Sequence, residues 1–152
     1  MLLSAFTIFH VLLSLIGIAA GLAVLYGFLT SKPSPATRLF LWTTVATSVT
    51  GFFFPFHGLT PGIVVGILSL IVLALAIRAR NRWRRTYVIT AMIALYLNVF
   101  VLIVQLFEKV PALTALAPTQ SEPPFQIVQG IVLVTFVILT VLSYRRSRGS
   151  SH

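Results

Sequence analysis

The sequence has no cysteine and no aspartate, and its only acidic residues are Glu108 and Glu122. Without cysteine, disulfide bonds, thiolate metal sites and thiol catalysis are all excluded. The two glutamates are separated in the chain, and no His-x-x-x-His or Glu-x-x-His spacing is present to hold a catalytic metal. An enzyme is therefore not the class that the sequence favours, and we predict no catalytic or metal-binding residue.

Charged residues of either sign are scarce. They make up 9% of the chain, whereas hydrophobic residues make up 58%, and a soluble domain would carry about a quarter charged residues. Several apolar runs reach about 20 residues, the length that crosses the roughly 30 Å hydrocarbon core of a bilayer. The sequence predicts an all-α, polytopic membrane protein with a single helical domain over residues 1–148, and residues 149–152 look like a cloning remnant.

Five apolar segments predict a bundle of five transmembrane helices, at about 3–29, 35–56, 61–78, 87–107 and 125–144. Two pairs of a capping residue and a proline, Ser34-Pro35 and Thr60-Pro61, mark the starts of the second and third segments. The first segment has no basic region before it and is longer than the apolar part of a signal peptide. We therefore expect it to be retained as a helix.

Basic residues cluster beside the predicted spans. Every one of the eleven lysines and arginines except Lys109 falls at 32–38, 78–85 or 145–148. Such clusters accumulate on the cytoplasmic side of a membrane, and five crossings place all three there, with the amino terminus outside and the carboxyl terminus in the cytoplasm. Four crossings would split the clusters between two sides. We expect contacts with anionic lipid head groups, and not with nucleic acid, from Arg78, Arg80, Arg82, Arg84, Arg85, Arg145 and Arg146.

Uncharged polar residues and histidines collect in the outer half of the predicted bundle. A polar group in hydrocarbon is costly, so it points at other helices or at a cavity. Asn98 needs a partner near mid-depth, and the rise per residue places His10 at a similar depth. We predict an outward-facing pocket that binds a small or lipid-like ligand through His10, His57, Asn98, Gln105, Glu108, Gln126 and Gln129. The connection 108–125 is interpreted as its lid or as an ordinary surface loop, with a weak signal for a short helix at 110–116.

Small residues are spaced for close helix contact at Gly17 and Gly21 in the first span and at Gly62 and Gly66 in the third. The same motif serves packing within a bundle and a seam with a second copy or a partner subunit. Both interpretations stay open. The threonine-rich stretch 43–50 of the second span is expected to hydrogen-bond mainly to the carbonyls of its own helix.

The stretch 94–100, with the sequence ALYLNVF, is followed at 117–125 by APTQSEPPF. Together they resemble segments of small bacterial inner-membrane proteins that have no assigned activity. The resemblance covers the last two spans and the connection between them. It implies a bacterial inner membrane as the location and a use for Asn98 and for 119–125, but no activity and no ligand.

Three functional interpretations remain open. The first is binding of a small or lipid-like ligand, or of a partner subunit, through the outer polar pocket. The second is a haem-binding redox protein with His10 and His57 as axial ligands of haem b, because both histidines lie toward one side of an antiparallel helix pair. The third is a structural accessory subunit whose small-residue faces bind another membrane protein or a second copy of the chain.

Overall fold

The computed structural model describes residues 2–30, 32, 35–53, 61–80, 82–119 and 122–149, without the side chains of 2–4, 61–62, 108–109 and 147–149. This part of the chain is all-helical, which confirms the predicted class. Its six helices are α1 (Leu2–Thr30), α2 (Thr37–Gly51), α3 (Pro61–Ala79), α4 (Arg84–Lys109), α5 (Pro111–Leu116) and α6 (Pro123–Gly149).

Helix α4 lies at the centre of the bundle. It contacts α1, α3, α5 and α6, and half of its apolar stretch is buried, against 11% of the corresponding stretch of α6. Val88, Met92 and Leu95 follow the spacing of one helix face, and they form one core with Phe40 of α2 and Leu73 of α3. The other helices therefore pack around α4.

Helix α1 runs antiparallel to both α2 and α4. Near its start, the ring of Phe6 meets the ring of Phe53, just after the end of α2, at a centroid distance of 6.5 Å. Near its end, the ring of Phe28 meets that of Tyr87, in the first turn of α4, at 5.7 Å. The end of α1 and the start of α4 thus lie together.

Helices α4 and α6 are also antiparallel. The rings of Phe107 and Phe125 lie 5.3 Å apart, where α4 ends and α6 begins. At the other end, the guanidinium of Arg85 lies 5.8 Å from the ring centre of Tyr144. One end of the bundle therefore gathers the basic residues at 32–38, 78–85 and 145–146, and we call it the basic end. The opposite end carries α5, and we call it the α5 end.

Three helices are long and apolar enough to cross a membrane, over Ala5–Thr30 in α1, Arg84–Phe107 in α4 and Pro123–Arg146 in α6. Helix α3 contributes a shorter apolar stretch, Ile63–Ala79, and the 15 residues of α2 cover about 22 Å. Large apolar side chains face outward along α1, α3 and α6, as expected where lipid is the solvent. These are the features of a membrane protein.

Helix α2 is shorter than the span predicted for it. It begins at Thr37, after a turn that contains Pro35, and it ends at Gly51, where the backbone amide of Phe52 caps the last turn. The end of the predicted span and the loop that follows it fall in 54–60, outside the described residues. With 15 residues it is too short to be among the long apolar stretches.

Helices α4 and α6 extend into the basic segments. α4 begins at Arg84, after Trp83 with an extended backbone of φ −128° and ψ 92°. α6 begins at Pro123, because a proline in the first turn gives up only an amide that has no helical partner. It continues to Gly149, beyond the predicted end of the last span.

The connection between α4 and α6 is folded against both helices. Its short helix α5 confirms the weak helical signal at 110–116. Ala117 is buried with Ile103 and Phe107 of α4, and Phe125 of α6 packs against this cluster. The hydroxyl of Thr114 donates to the carbonyl of Phe107 at 2.8 Å, which ties α5 to the end of α4. The seam between α4 and α6 is therefore covered at the α5 end.

Candidate ligand-binding site

Asn98 is buried where α1, α2 and α4 meet. Its side-chain nitrogen donates to the hydroxyl of Thr44 at 3.4 Å. The three helices approach here because Gly17 has no side chain. A methyl group added at Gly17 would lie 3.2 Å from the Thr43 hydroxyl, 3.3 Å from the Thr44 hydroxyl and 3.4 Å from the Asn98 nitrogen. The amide that the sequence singled out thus has a partner on α2.

His10 lies between α1 and α2. Its Nδ1 is 2.7 Å from the hydroxyl oxygen of Thr50, and this hydroxyl itself lies 2.7 Å from the carbonyl oxygen of Ala46. A threonine hydroxyl has a single proton. Which of the two groups donates therefore depends on the tautomer of His10. The arrangement anchors the imidazole to α2.

The structure separates His10 and Asn98 along the bundle axis. Asn98 lies opposite Gly17, which is seven residues, or about 10 Å, further along α1 than His10. Counting from the predicted span ends placed the two at one depth. The difference in length between α1, with 29 residues, and α4, with 26, accounts for about 4.5 Å of this separation.

Gln129 occupies the seam between α4 and α6. Its side chain is only 9% exposed, and its amide nitrogen donates to the backbone carbonyl of Phe100 at 3.3 Å. Its amide oxygen is buried and has no hydrogen-bond partner. Reversing the amide would set two carbonyl oxygens against each other, so this orientation is the favourable one. Phe125 and Val132, one turn away on either side along α6, pack against the cluster of Ile103, Phe107 and Ala117, so the unpaired oxygen lies in an apolar seam.

The four other predicted ligand-binding residues are described only in part, and their place in a pocket stays a prediction. Gln105 is half-buried and Gln126 is exposed. His57 and the side chain of Glu108 lie outside what the structure describes. His10, Asn98 and Gln129 are distributed over three different interhelical seams, because each bonds to a different neighbour.

The haem hypothesis stays a prediction, because its second ligand, His57, is outside the described residues. In the part of the chain with described side chains, no group of three or more His, Cys, Asp or Glu residues could hold a metal ion. This observation does not address a two-histidine haem site.

The predicted small-residue contacts face other helices of the same chain. A methyl group at Gly21 would lie 2.5 Å from Cδ1 of Leu95 and 3.0 Å from the ring of Phe40. One at Gly66 would lie 2.9 Å from the ring of Phe52. The surroundings of Gly62 lie outside what the structure describes. Gly17, Gly21 and Gly66 therefore have a role within the bundle, and a homo-oligomer or a partner subunit stays a prediction.

The basic end holds two adjacent arginines against aromatic rings. The guanidinium of Arg84 lies 5.5 Å from the ring centre of Phe28, and that of Arg85 lies over Tyr144. Such contacts stabilise a cation by about 0.5–1 kcal/mol at exposed sites. The other predicted lipid-contacting arginines are exposed except for Arg80, which is half-buried. Contact with anionic lipid is a prediction that this geometry accommodates.

The acidic charge lies at the α5 end. The carboxylate of Glu122 accepts hydrogen bonds from Thr119, at 3.2 Å from the backbone nitrogen and at 2.6 Å from the hydroxyl. This carboxylate closes the turn that leads into α6. The chain's other acid, Glu108, is on the last turn of α4, also at the α5 end.

The sequence analysis did not predict that threonines of α2 would be the partners of Asn98 and His10. It expected the hydroxyls at 43–50 to bond to their own helix, and Thr43, Thr47 and Thr50 do so through carbonyls four residues earlier. Thr44 and Thr50 also meet the polar groups of other helices. The hydroxyls at 43, 44, 47 and 50 share one helix face, and this spacing is the signal that could have identified them.

No protein-family model matches the chain, and no curated protein or solved structure is significantly similar to it. Its function is therefore inferred from its own residues and their contacts.

Proposed function

We propose that this chain is a five-span bacterial inner-membrane protein that binds a small, lipid-like ligand in the outer half of its bundle, between α4 and α6. The same surface, presented to a partner subunit, is the alternative within this proposal. No catalytic step is included in the proposal.

Support for five crossings comes from helix direction and charge. The helices α1, α2, α3, α4 and α6 alternate in direction, and every lysine and arginine except Lys109 belongs to the segments of the basic end. A cytoplasmic basic end agrees with the preference of these residues for that side, and it leaves the amino terminus outside. Because α2 covers only about 22 Å, its crossing would need flanking residues and a locally thinner bilayer.

The observation that carries the ligand proposal is the unpaired amide oxygen of Gln129. It is buried in an apolar seam, where an acceptor without a partner costs about 1–3 kcal/mol. The seam lies away from the basic end, and α5 and Ala117 cover it only at the α5 end. A ligand that supplies a hydrogen bond would remove this cost, which gives the bound state an advantage over the empty one.

The experiment compares wild-type protein with Gln129→Leu, both extracted from their native membrane and analysed by native mass spectrometry. Thr135→Val is the matched control, because Thr135 is an exposed α6 residue whose hydroxyl bonds to its own helix at Ile131. We expect one co-purifying lipid-like molecule in the wild type and in Thr135→Val, and its loss in Gln129→Leu.

Two results would contradict the proposal. One is wild-type protein that carries no small molecule in repeated native preparations. The other is a molecule that Gln129→Leu retains to the same extent as the wild type. A co-purifying membrane protein that is lost with Gln129→Leu, with no small molecule present, would instead support the partner-subunit alternative.

A further inference from the structure

We infer that the ligand of the α4–α6 seam is an uncharged amphiphile that donates a hydroxyl hydrogen to the amide oxygen of Gln129. This inference rests on the proposed function and specifies the chemical class of its ligand. The claim has three parts: the ligand carries a donor, it carries no charge, and it enters from the lipid phase.

The ligand must carry a hydrogen-bond donor, because the nitrogen of the Gln129 amide already donates to another group. That nitrogen donates to the carbonyl of Phe100 at 3.3 Å. The amide oxygen is left with two lone pairs, and it can only accept. A ligand that offers only acceptors, such as a quinone, an ether or a simple ester, would place oxygen against oxygen. A hydroxyl group supplies the missing hydrogen.

The absence of charge follows from the lining of the seam. On α6, Phe125 lies one turn before Gln129 and Val132 one turn after it. Both pack against the cluster that contains Ile103 and Phe107 of α4. A phosphate or an ammonium group in such surroundings would need a counter-charge. Lys109 ends α4 nine residues, or about 13 Å, beyond Phe100, the partner of Gln129. The other cationic residues belong to the basic end, where Tyr144 is fifteen residues along α6, or about 22 Å, from Gln129.

Entry from the lipid phase follows from the exposure of α6. This helix has only 11% of its apolar stretch buried, the smallest share among the three long helices. Gly130, next to Gln129, has no atom within 4 Å of the place where a methyl group would be. A small displacement of α6 that keeps the hydrogen bond from Gln129 to Phe100 would therefore bring the amide oxygen to a lipid hydroxyl.

The test uses two lipids that differ in a single hydrogen-bond donor. One is 1,2-dioleoylglycerol, and the other is its 3-O-methyl ether, which keeps every acceptor but has no hydroxyl group. Each is added to protein in nanodiscs of phosphatidylcholine, whose head group has no O–H or N–H donor. The shift of the thermal unfolding midpoint against lipid concentration then gives the apparent Kd.

We expect the wild type to bind the alcohol more tightly than the ether by about tenfold, the factor that one net hydrogen bond supplies. In Gln129→Leu, and in Gln129→Met, which keeps the length of the side chain, the two lipids should bind equally. Thr135→Val should retain the wild-type preference. Because two apolar variants are compared, poor folding of one of them does not remove the test.

Equal binding of alcohol and ether by the wild type would overturn the inference, since it would mean that water or a protein group satisfies the amide oxygen. If that result accompanied a Gln129-dependent molecule in the native preparation, the proposed function would stand without the hydroxyl requirement. If neither lipid bound and the native preparation carried no molecule, the inference and the proposed function would both fail.

Discussion

Asn98 and Gln129 are two buried amides that differ in their hydrogen bonding. Asn98 meets the hydroxyl of Thr44 at 3.4 Å, whereas the oxygen of Gln129 has no partner. The sequence alone predicts that Asn98 requires a partner, because an amide near mid-depth is costly unpaired. It does not identify Thr44, because the partner depends on how α2 and α4 align, and residue counts do not reveal a shift of two turns along a helix.

The Asn98 contact predicts a measurable effect of one isosteric change. Thr44→Val removes the acceptor and leaves the Asn98 nitrogen buried without a partner, so the free energy of unfolding should fall by about 1–3 kcal/mol, toward the lower end because the bond is long. The measurement is denaturant titration in mixed detergent micelles. The double variant Thr44→Val with Asn98→Leu should recover part of the loss.

Thr135→Val serves as the control for this pair, because an exposed side chain with a bond only to its own helix should change stability by no more than about 0.5 kcal/mol. A Thr44→Val variant as stable as Thr135→Val would show that the Thr44 hydroxyl is not a significant partner of Asn98.

At the scale of the helices, the sequence predicts which segments are helical better than it predicts where each helix begins and ends. Long apolar runs identify α1, α4 and α6, but α6 begins at Pro123, two residues before the predicted start at 125. The start of α4 at Arg84 is not readable, because arginine is as compatible with a helix as with a loop. The limits of α2 are also obscured, because its threonines dilute the apolar signal.

The glycine pattern illustrates the same limit. The spacing of Gly17 and Gly21 predicts a close contact, yet it does not distinguish packing inside the bundle from a seam between copies. The distances in the structure assign Gly21 to Leu95 of α4 and Phe40 of α2. Both are almost fully buried, so neither can move aside without disturbing the core.

Two glycine-to-alanine changes should therefore have opposite effects. Gly21→Ala would overpack the junction with Leu95 and Phe40 and should destabilise the protein by about 1–3 kcal/mol. Gly130→Ala, in the interior of α6 with open space around it, should be neutral or stabilising by about 0.5–1 kcal/mol. Unfolding titrations under one set of conditions compare them. Similar effects of both changes on stability would contradict the close packing of Gly21 against Leu95 and Phe40.

For the whole molecule, cationic charge divides the bundle along its axis. The basic end gathers nearly all cations, and two of them are held on the rings of Phe28 and Tyr144. The unpaired acceptor of Gln129 and the imidazole of His10 lie toward the α5 end. This polarity was predictable from sequence through the positions of arginine. The separation of the polar groups into three seams was not, because it depends on which helices are neighbours.

The account depends on the sidedness of the bundle, and single cysteines test it most directly because the chain has none of its own. Cysteine is introduced in turn at the exposed positions Pro35, Phe53, Trp83 and Pro118, and intact cells are treated with a membrane-impermeant maleimide before and after permeabilisation. We predict labelling of Phe53→Cys and Pro118→Cys in intact cells, and of Pro35→Cys and Trp83→Cys only after permeabilisation. Labelling of Trp83→Cys in intact cells, or protection of Pro118→Cys there, would contradict an outward-facing ligand site and the five-crossing arrangement on which it depends.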